Sequence, residues 1–147
     1  MNKIFEQILH LRNISDDFLN PKYEDLPDPF LLPDMEKTIS RIQDAIDKSE
    51  QILVYGDYDV DGVTASTVMC EALELAGAKD VKIMLPDRFA DGYGMSPRLC
   101  EYASEIGAKL IVTVDCGSAN KDIVDELRVR GIDTIVTDHH ELSLIHI

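Results

Sequence analysis

Short apolar runs and segments of helical period alternate along most of this chain. Gln51–Tyr55 (QILVY), Val81–Leu85 (VKIML), Leu110–Val114 (LIVTV) and Thr134–Thr137 (TIVT) are runs of strand length, rich in β-branched residues. Between them, 63–76 puts Ala65, Val68, Met69, Ala72, Leu73 and Ala76 on one helical face and stops at Gly77. Ser96 and Pro97 open a second helix, with Leu99, Tyr102, Ala103 and Ile106 facing inward and Gly107 as its stop. A third covers 120–130 and ends at Gly131. Ahead of the first strand, Met35, Ile39, Ile42 and Ile46 recur at helical spacing behind Asp34, which reads as an N-cap. Strands apolar on both faces, joined by helices, predict an α/β fold: a parallel sheet flanked by helices, with right-handed crossovers. Residues 1–33, interrupted by Pro21, Pro27, Pro29 and Pro33, read as an N-terminal extension, and 34–142 as the α/β domain.

In such a sheet, ligands bind beyond the carboxyl ends of the strands. After the first strand stands GDYDVDG, with Asp57, Asp59 and Asp61. The third is followed by Asp115, Cys116 and Gly117, and the fourth by Asp138, His139 and His140. Carboxylates gathered at one edge repel one another unless a cation neutralises them. A calcium loop is excluded: counting from Asp57, the place of its bidentate Glu holds Val68, and a strand rather than a helix leads in. Carboxylates mixed with imidazole suit Mn2+, with Mg2+ as the alternative, and suit zinc less well without thiolates. Two such ions lower the pKa of a bound water and aim it at phosphorus, so no protein nucleophile is needed. Cys116 has no His beside it in sequence to activate it.

The charge changes one part of this picture. Against 28 acids stand 14 bases, a net charge of −14, so no basic groove for a polyanion covers this part of the protein. Cations on carboxylates, or a basic surface elsewhere in a longer protein, can offset that. Three separated cysteines without a CxxC pair exclude a disulfide framework and point to a reducing, cytoplasmic setting. No apolar run approaches the roughly 18 residues of a membrane span. The opening MNKIFEQILHLR is broken by Glu6, His10 and Arg12 and is not a signal peptide.

GDYDVDGVTA, RFADGYG, TVDCG and TDHHE, in this order and spacing, closely resemble the RecJ single-strand-specific DNA exonucleases of the DHH phosphoesterase superfamily. The resemblance covers roughly 15–142 and includes the lead-in DFLNP…LPDPFLLPDME. It implies metal ligation by Asp59 and Asp61, an Asp115 carboxylate bridging two cations, and His139 as the imidazole ligand of the second. By the same resemblance His140 faces the substrate phosphate, Asp138 supports the histidine pair, and Asp57 either ligates a metal or braces its loop. Arg88 in RFADGYG is a candidate phosphate contact, Phe89 and Tyr93 are candidates for stacking on a base or anchoring the loop, and Gly92 and Gly94 permit tight turns. Where several superfamily members carry a His four residues before Asp59, this chain has Tyr55.

The resemblance further implies a Mn2+- or Mg2+-dependent exonuclease working from the 5′ end of single-stranded DNA, in recombination and repair. Within the superfamily, activity on short oligonucleotides, cyclic dinucleotides or pyrophosphate is the alternative, and a degenerate, non-catalytic scaffold is a third. A further aspartate ligand and the domains that grip the strand lie downstream in the family. The domain read here is therefore expected to be incomplete and to turn over weakly alone, with DNA bound through the full-length protein. The apolar ending LSLIHI departs from the family and resembles translated adapter sequence, so 143–147 is expected to be an anomalous tail and His146 no ligand. The sequence leaves oligomeric state open.

Overall fold

The computed structural model describes residues 3–140; the tail 143–147 lies outside them. The chain divides into two units after Met35. The first contains helices α1 (Lys3–Leu11) and α2 (Asp16–Leu19), then two single 3-10 turns at Tyr23–Asp25 and Pro29–Leu31. Its prolines keep the later part from extending into longer helices.

The second unit begins with the bulk of α3 (Met35–Asp47) and continues β1 (Ile52–Gly56), α4 (Val60–Leu75), β2 (Val81–Met84), α5 (Pro97–Glu105), β3 (Leu110–Val114), α6 (Lys121–Val129) and β4 (Asp133–Thr137). All strands are parallel, in the order β2-β1-β3-β4. Val54 lies beside Ile83 on one side and Val112 on the other, and Val112 beside Ile135. The central strands β1 and β3 are buried along their whole length, whereas the edge strands are only partly covered. Alternate side chains feed two cores. Ile52, Val54, Leu110 and Val112 pack with Ala45 of α3 and Leu73 of α4. Leu53, Tyr55 and Ile111 pack with Leu99 and Ala103 of α5 and Leu127 of α6. The result is the expected parallel sheet flanked by helices, one pair on each face.

Three local expectations need correction. Helix α4 starts at Val60 rather than 63, because Asp59 takes an extended backbone (φ −85°, ψ −176°) and its side chain caps the Gly62 amide. Asp34 does precede α3, but with φ 55° it lies in the left-handed region rather than in the extended conformation of an N-cap. Ser96 enters α5 with an extended backbone and makes no side-chain cap bond. Its hydroxyl instead donates to Asp91 Oδ1 at 3.2 Å.

Candidate functional site

From β1 the chain moves outward to β2, then crosses back to β3 and proceeds to β4 on the other side. The direction reverses between β1 and β3, and the loops leaving those two strands diverge there to leave a crevice. Asp57 follows β1 and Asp115 follows β3, so this crevice receives two buried carboxylates.

The turn from β1 into α4 is unusually close. A Cβ on Gly62 would stand 2.4 Å from the Asp57 carbonyl oxygen, and one on Gly56 would stand 2.0 Å from Ser66 Oγ. Only glycine lets the first turn of α4 touch the end of β1 in this way. Asp57 Oδ1 accepts from the Tyr58 amide at 2.7 Å, a brace across its own loop. Burial foremost, then repulsion from Asp59 and Asp115, pushes its carboxyl above the ordinary range despite that hydrogen bond. Asp59 Oδ1 is engaged by the Gly62 amide at 2.9 Å, which leaves its other oxygen for a cation. Asp61 stands exposed in the first turn of α4, where the helix dipole favours a negative charge.

At the other side of the crevice, Asp115 has φ 60°, an uncommon conformation for a residue with a side chain. Its amide donates to the Thr137 carbonyl at 3.0 Å, extending the β3–β4 ladder by one bond. His139 Nε2 lies 2.8 Å from Asp115 Oδ1. Asp138 is turned inward: Oδ2 accepts from the Ser118 amide at 3.0 Å, and Oδ1 from the His140 amide at 3.0 Å and His140 Nδ1 at 2.7 Å. Burial pushes the Asp138 carboxyl up, but these hydrogen bonds outweigh it and hold the group at about 2. The same contact raises His140 above its ordinary value.

One potential ligand atom each from Asp115, His139 and His140 fall within 4.8 Å of one another. A cation about 2.1 Å from a carboxylate oxygen and an imidazole nitrogen fits such a spacing. Asp61, Asp115, Asp138 and His139 also line one cleft of about 540 Å³, whose apolar wall is Ala65, Val68, Met69 and Ala72 of α4. The donors are carboxylate and imidazole, a set suited to Mn2+ or Mg2+. Cys116 contributes nothing to it. Its Sγ points at the Tyr55 carbonyl, 3.8 Å away, and burial followed by repulsion from Asp57, Asp138 and Asp115 pushes the thiol up to about 12.

The RFADGYG loop borders this cluster. The Arg88 guanidinium lies over the Tyr58 ring, 5.2 Å from its centroid, beside the Asp57–Asp61 loop. Phe89 is 96% exposed. Tyr93 meets His140: its hydroxyl oxygen is 3.2 Å from Nδ1 and 3.3 Å from Nε2. Tyr55 is fully buried and donates its hydroxyl to the Gly94 carbonyl at 2.9 Å. Sequence reasoning missed the Tyr93–His140 contact and the Ser118 and Tyr55 roles. A tyrosine in a strand otherwise made of Ile, Leu, Val and Gly was the one available signal, since a buried hydroxyl seeks a partner.

Residues 51–146 match the model of the DHH family, N-terminal domain. The single-stranded-DNA-specific exonuclease RecJ of Bacillus subtilis (strain 168) is 42% identical over 124 residues, 84% of this chain and 16% of that protein. RecJ of Escherichia coli (strain K12) is 39% identical over 109 residues, 74% of this chain and 19% of that protein. This chain thus spans less than a fifth of either relative. Among solved structures, exonuclease RecJ bound to manganese superposes with a TM-score of 0.70 at 34% identity, covering 80% of this chain and 29% of that one. RecJ in complex with Mn2+ from Thermus thermophilus gives 0.69 at 29% identity, covering 92% and 19%.

Proposed function

This chain belongs to the DHH family, and from that premise we propose that it is the front part of a metal-dependent phosphodiesterase that degrades single-stranded DNA from the 5′ end. The observation that carries the reading is the meeting of Asp115, His139 and His140 beyond β3 and β4, in a chain related to exonucleases crystallised with manganese.

Asp59, Asp61, Asp115 and His139 are the proposed holders of two divalent ions, Mn2+ or Mg2+, with Asp57 bracing their loop or sharing a ligand position. When bound, the pair supplies an acidified water and positive charge against the phosphate oxygens. His140 presents Nε2 to a phosphate oxygen, because Nδ1 is occupied by Asp138. A carboxylate held near 2 stays ionised throughout the working range, so it fixes the imidazole and favours its charged form when the phosphate arrives. Arg88, held over Tyr58 at the crevice rim, offers the other positive charge to the nucleotide. No side chain needs to attack phosphorus, which agrees with a Cys116 thiol that stays protonated.

Among the described residues no helix is long and apolar enough to cross a membrane. The cysteines are free, which supports the proposed cytoplasmic setting; the proposed role in recombination and repair rests on the likeness to RecJ exonucleases. The test has two arms. Calorimetric titration of this chain with MnCl2 is expected to show site-specific binding that Asp115→Ala removes; equal heats in both proteins would overturn the metal site. The full-length gene product is expected to shorten 5′-labelled single strands faster than duplexes or dinucleotides. A preference for dinucleotides would overturn the exonuclease reading.

A further inference from the structure

The loop carrying Tyr93 is tied to the interior by residues outside the DHH segment. Tyr55, buried in β1, donates to the Gly94 carbonyl. Asn120 grips the next residue from the α6 side: its Oδ1 accepts from the Met95 amide at 3.1 Å and its Nδ2 donates to the Met95 carbonyl at 3.4 Å. Gly94 has φ 83°, and a Cβ there would stand 2.7 Å from Asn120 Oδ1, so the strap passes as close to Asn120 as a backbone can. Tyr93 is therefore delivered from the sheet core rather than from a free loop.

Its hydroxyl lies nearly equidistant from the two nitrogens of His140, with the rings at 80° and centroids 5.7 Å apart. Nδ1 is held at 2.7 Å by Asp138 Oδ1. The phenol oxygen, near both nitrogens, favours neither. At 3.2 and 3.3 Å the contact is weak, and its value lies in orientation. The His140 side chain is 46% exposed, so the Asp138 bond and the tilted His139 ring 4.8 Å away leave it room to swing.

We infer that Tyr93 is a positioning residue for His140: the strut Tyr55–Gly94–Tyr93, anchored in the sheet, fixes the tilt of the imidazole beside Asp115 and His139. The inference rests on the proposed reading of His140 as the group that meets the phosphate. It gives the RFADGYG tyrosine a role distinct from stacking on a base, and it gives Tyr55 a role at a distance from the ions.

Two measurements test it. In the 147-residue chain without metal, nuclear Overhauser contacts between the Tyr93 and His140 rings are expected, with His140 in the Nδ1–H form. Tyr93→Leu should remove the contacts and broaden the His140 ring signals; sharp, unshifted signals would overturn the proposal. In the full-length protein, Tyr93→Phe and Tyr55→Phe are each expected to lower kcat roughly 10-fold, as loss of a supporting partner does, with KM for single-stranded DNA and manganese affinity unchanged. His140→Ala sets the floor, and adding Tyr93→Phe to it should cost nothing more. An inactive His140→Ala beside a fully active Tyr93→Phe overturns this inference alone, as does a Tyr93→Phe that raises KM at constant kcat, the mark of base stacking. A fully active His140→Ala overturns the reading of His140 beneath it.

Discussion

Nε2 of His139 stands 2.8 Å from Oδ1 of Asp115, across 24 residues of sequence. The two meet because β3 and β4 run in parallel register and the Asp115 amide adds one more rung, to Thr137. The backbone of Asp115 is left-handed, a conformation that asparagine shares with aspartate at little cost. Asp115→Asn should therefore keep the fold, shifting Tm by less than about 4 °C. It should weaken manganese binding by at least about 100-fold, the upper end of what a mere supporting partner costs. Thermal melts and calorimetry check both halves, and unchanged manganese binding contradicts the assignment.

Asp138 predicts a pH dependence. Its carboxyl is held at about 2 against an ordinary 3.8. A depressed value contributes stability that is present above about pH 4 and lost as pH falls toward 2. His140, raised by the same contact, contributes below its ordinary value of 6.5 and loses that contribution as pH rises through its folded value. Asp138→Asn should cost about 1–2 kcal/mol at pH 5 to 6. The deficit should narrow as pH drops from 4 to 2, in urea unfolding without divalent ions. A deficit that stays constant over that range counts against the electrostatic account.

Gly62→Ala tests the close approach at the turn. Its Cβ would meet Asp57 backbone atoms at 2.4 to 2.7 Å, and backbone cannot swing aside as a side chain does. A loss of about 3 kcal/mol is expected, together with impaired manganese binding. The neighbouring Thr64→Ala, on an exposed helical position, should be neutral or slightly stabilising. Chemical denaturation of the pair is the measurement, and equal stabilities would contradict the packing argument.

The cysteines should alkylate in a fixed order. Cys70 is half-buried, whereas Cys100 and Cys116 have no exposed surface. With iodoacetamide at pH 8, mass spectrometry should find Cys70 modified first. Cys116, with its thiol near 12, should react only after unfolding. Rapid native labelling of Cys116 would reopen a nucleophilic role for it.

Most of the fold was legible because the two central strands are apolar at nearly every position, which only burial on both faces requires. The edge strand β4 was legible for a weaker reason, four consecutive β-formers. Strand order was not legible: alternation of strands and helices says that the sheet is parallel but not that β3 returns to the far side of β1. The start of α4 was misplaced since DVDG reads as loop, and only the Asp59 cap, a three-dimensional contact, converts it into a first turn. Among candidate site residues, Asp115 and His139 could be nominated from strand ends. The left-handed backbone of Asp115 and the Tyr93–His140 contact could not, because periodicity carries no information about which loops touch.

The cluster is built from parts of unequal firmness. Its buried carboxylates hang from β1 and β3, flanked on both sides by neighbours, while both imidazoles follow β4, which among the described residues pairs on one side only and is exposed at Asp133, Val136 and Thr137. Thermal fraying begins where backbone bonds are most exposed to water. Short of global unfolding, the histidines should therefore detach first and leave Asp57 and Asp115 in place, so the site disassembles from its nitrogen side while its oxygen side persists.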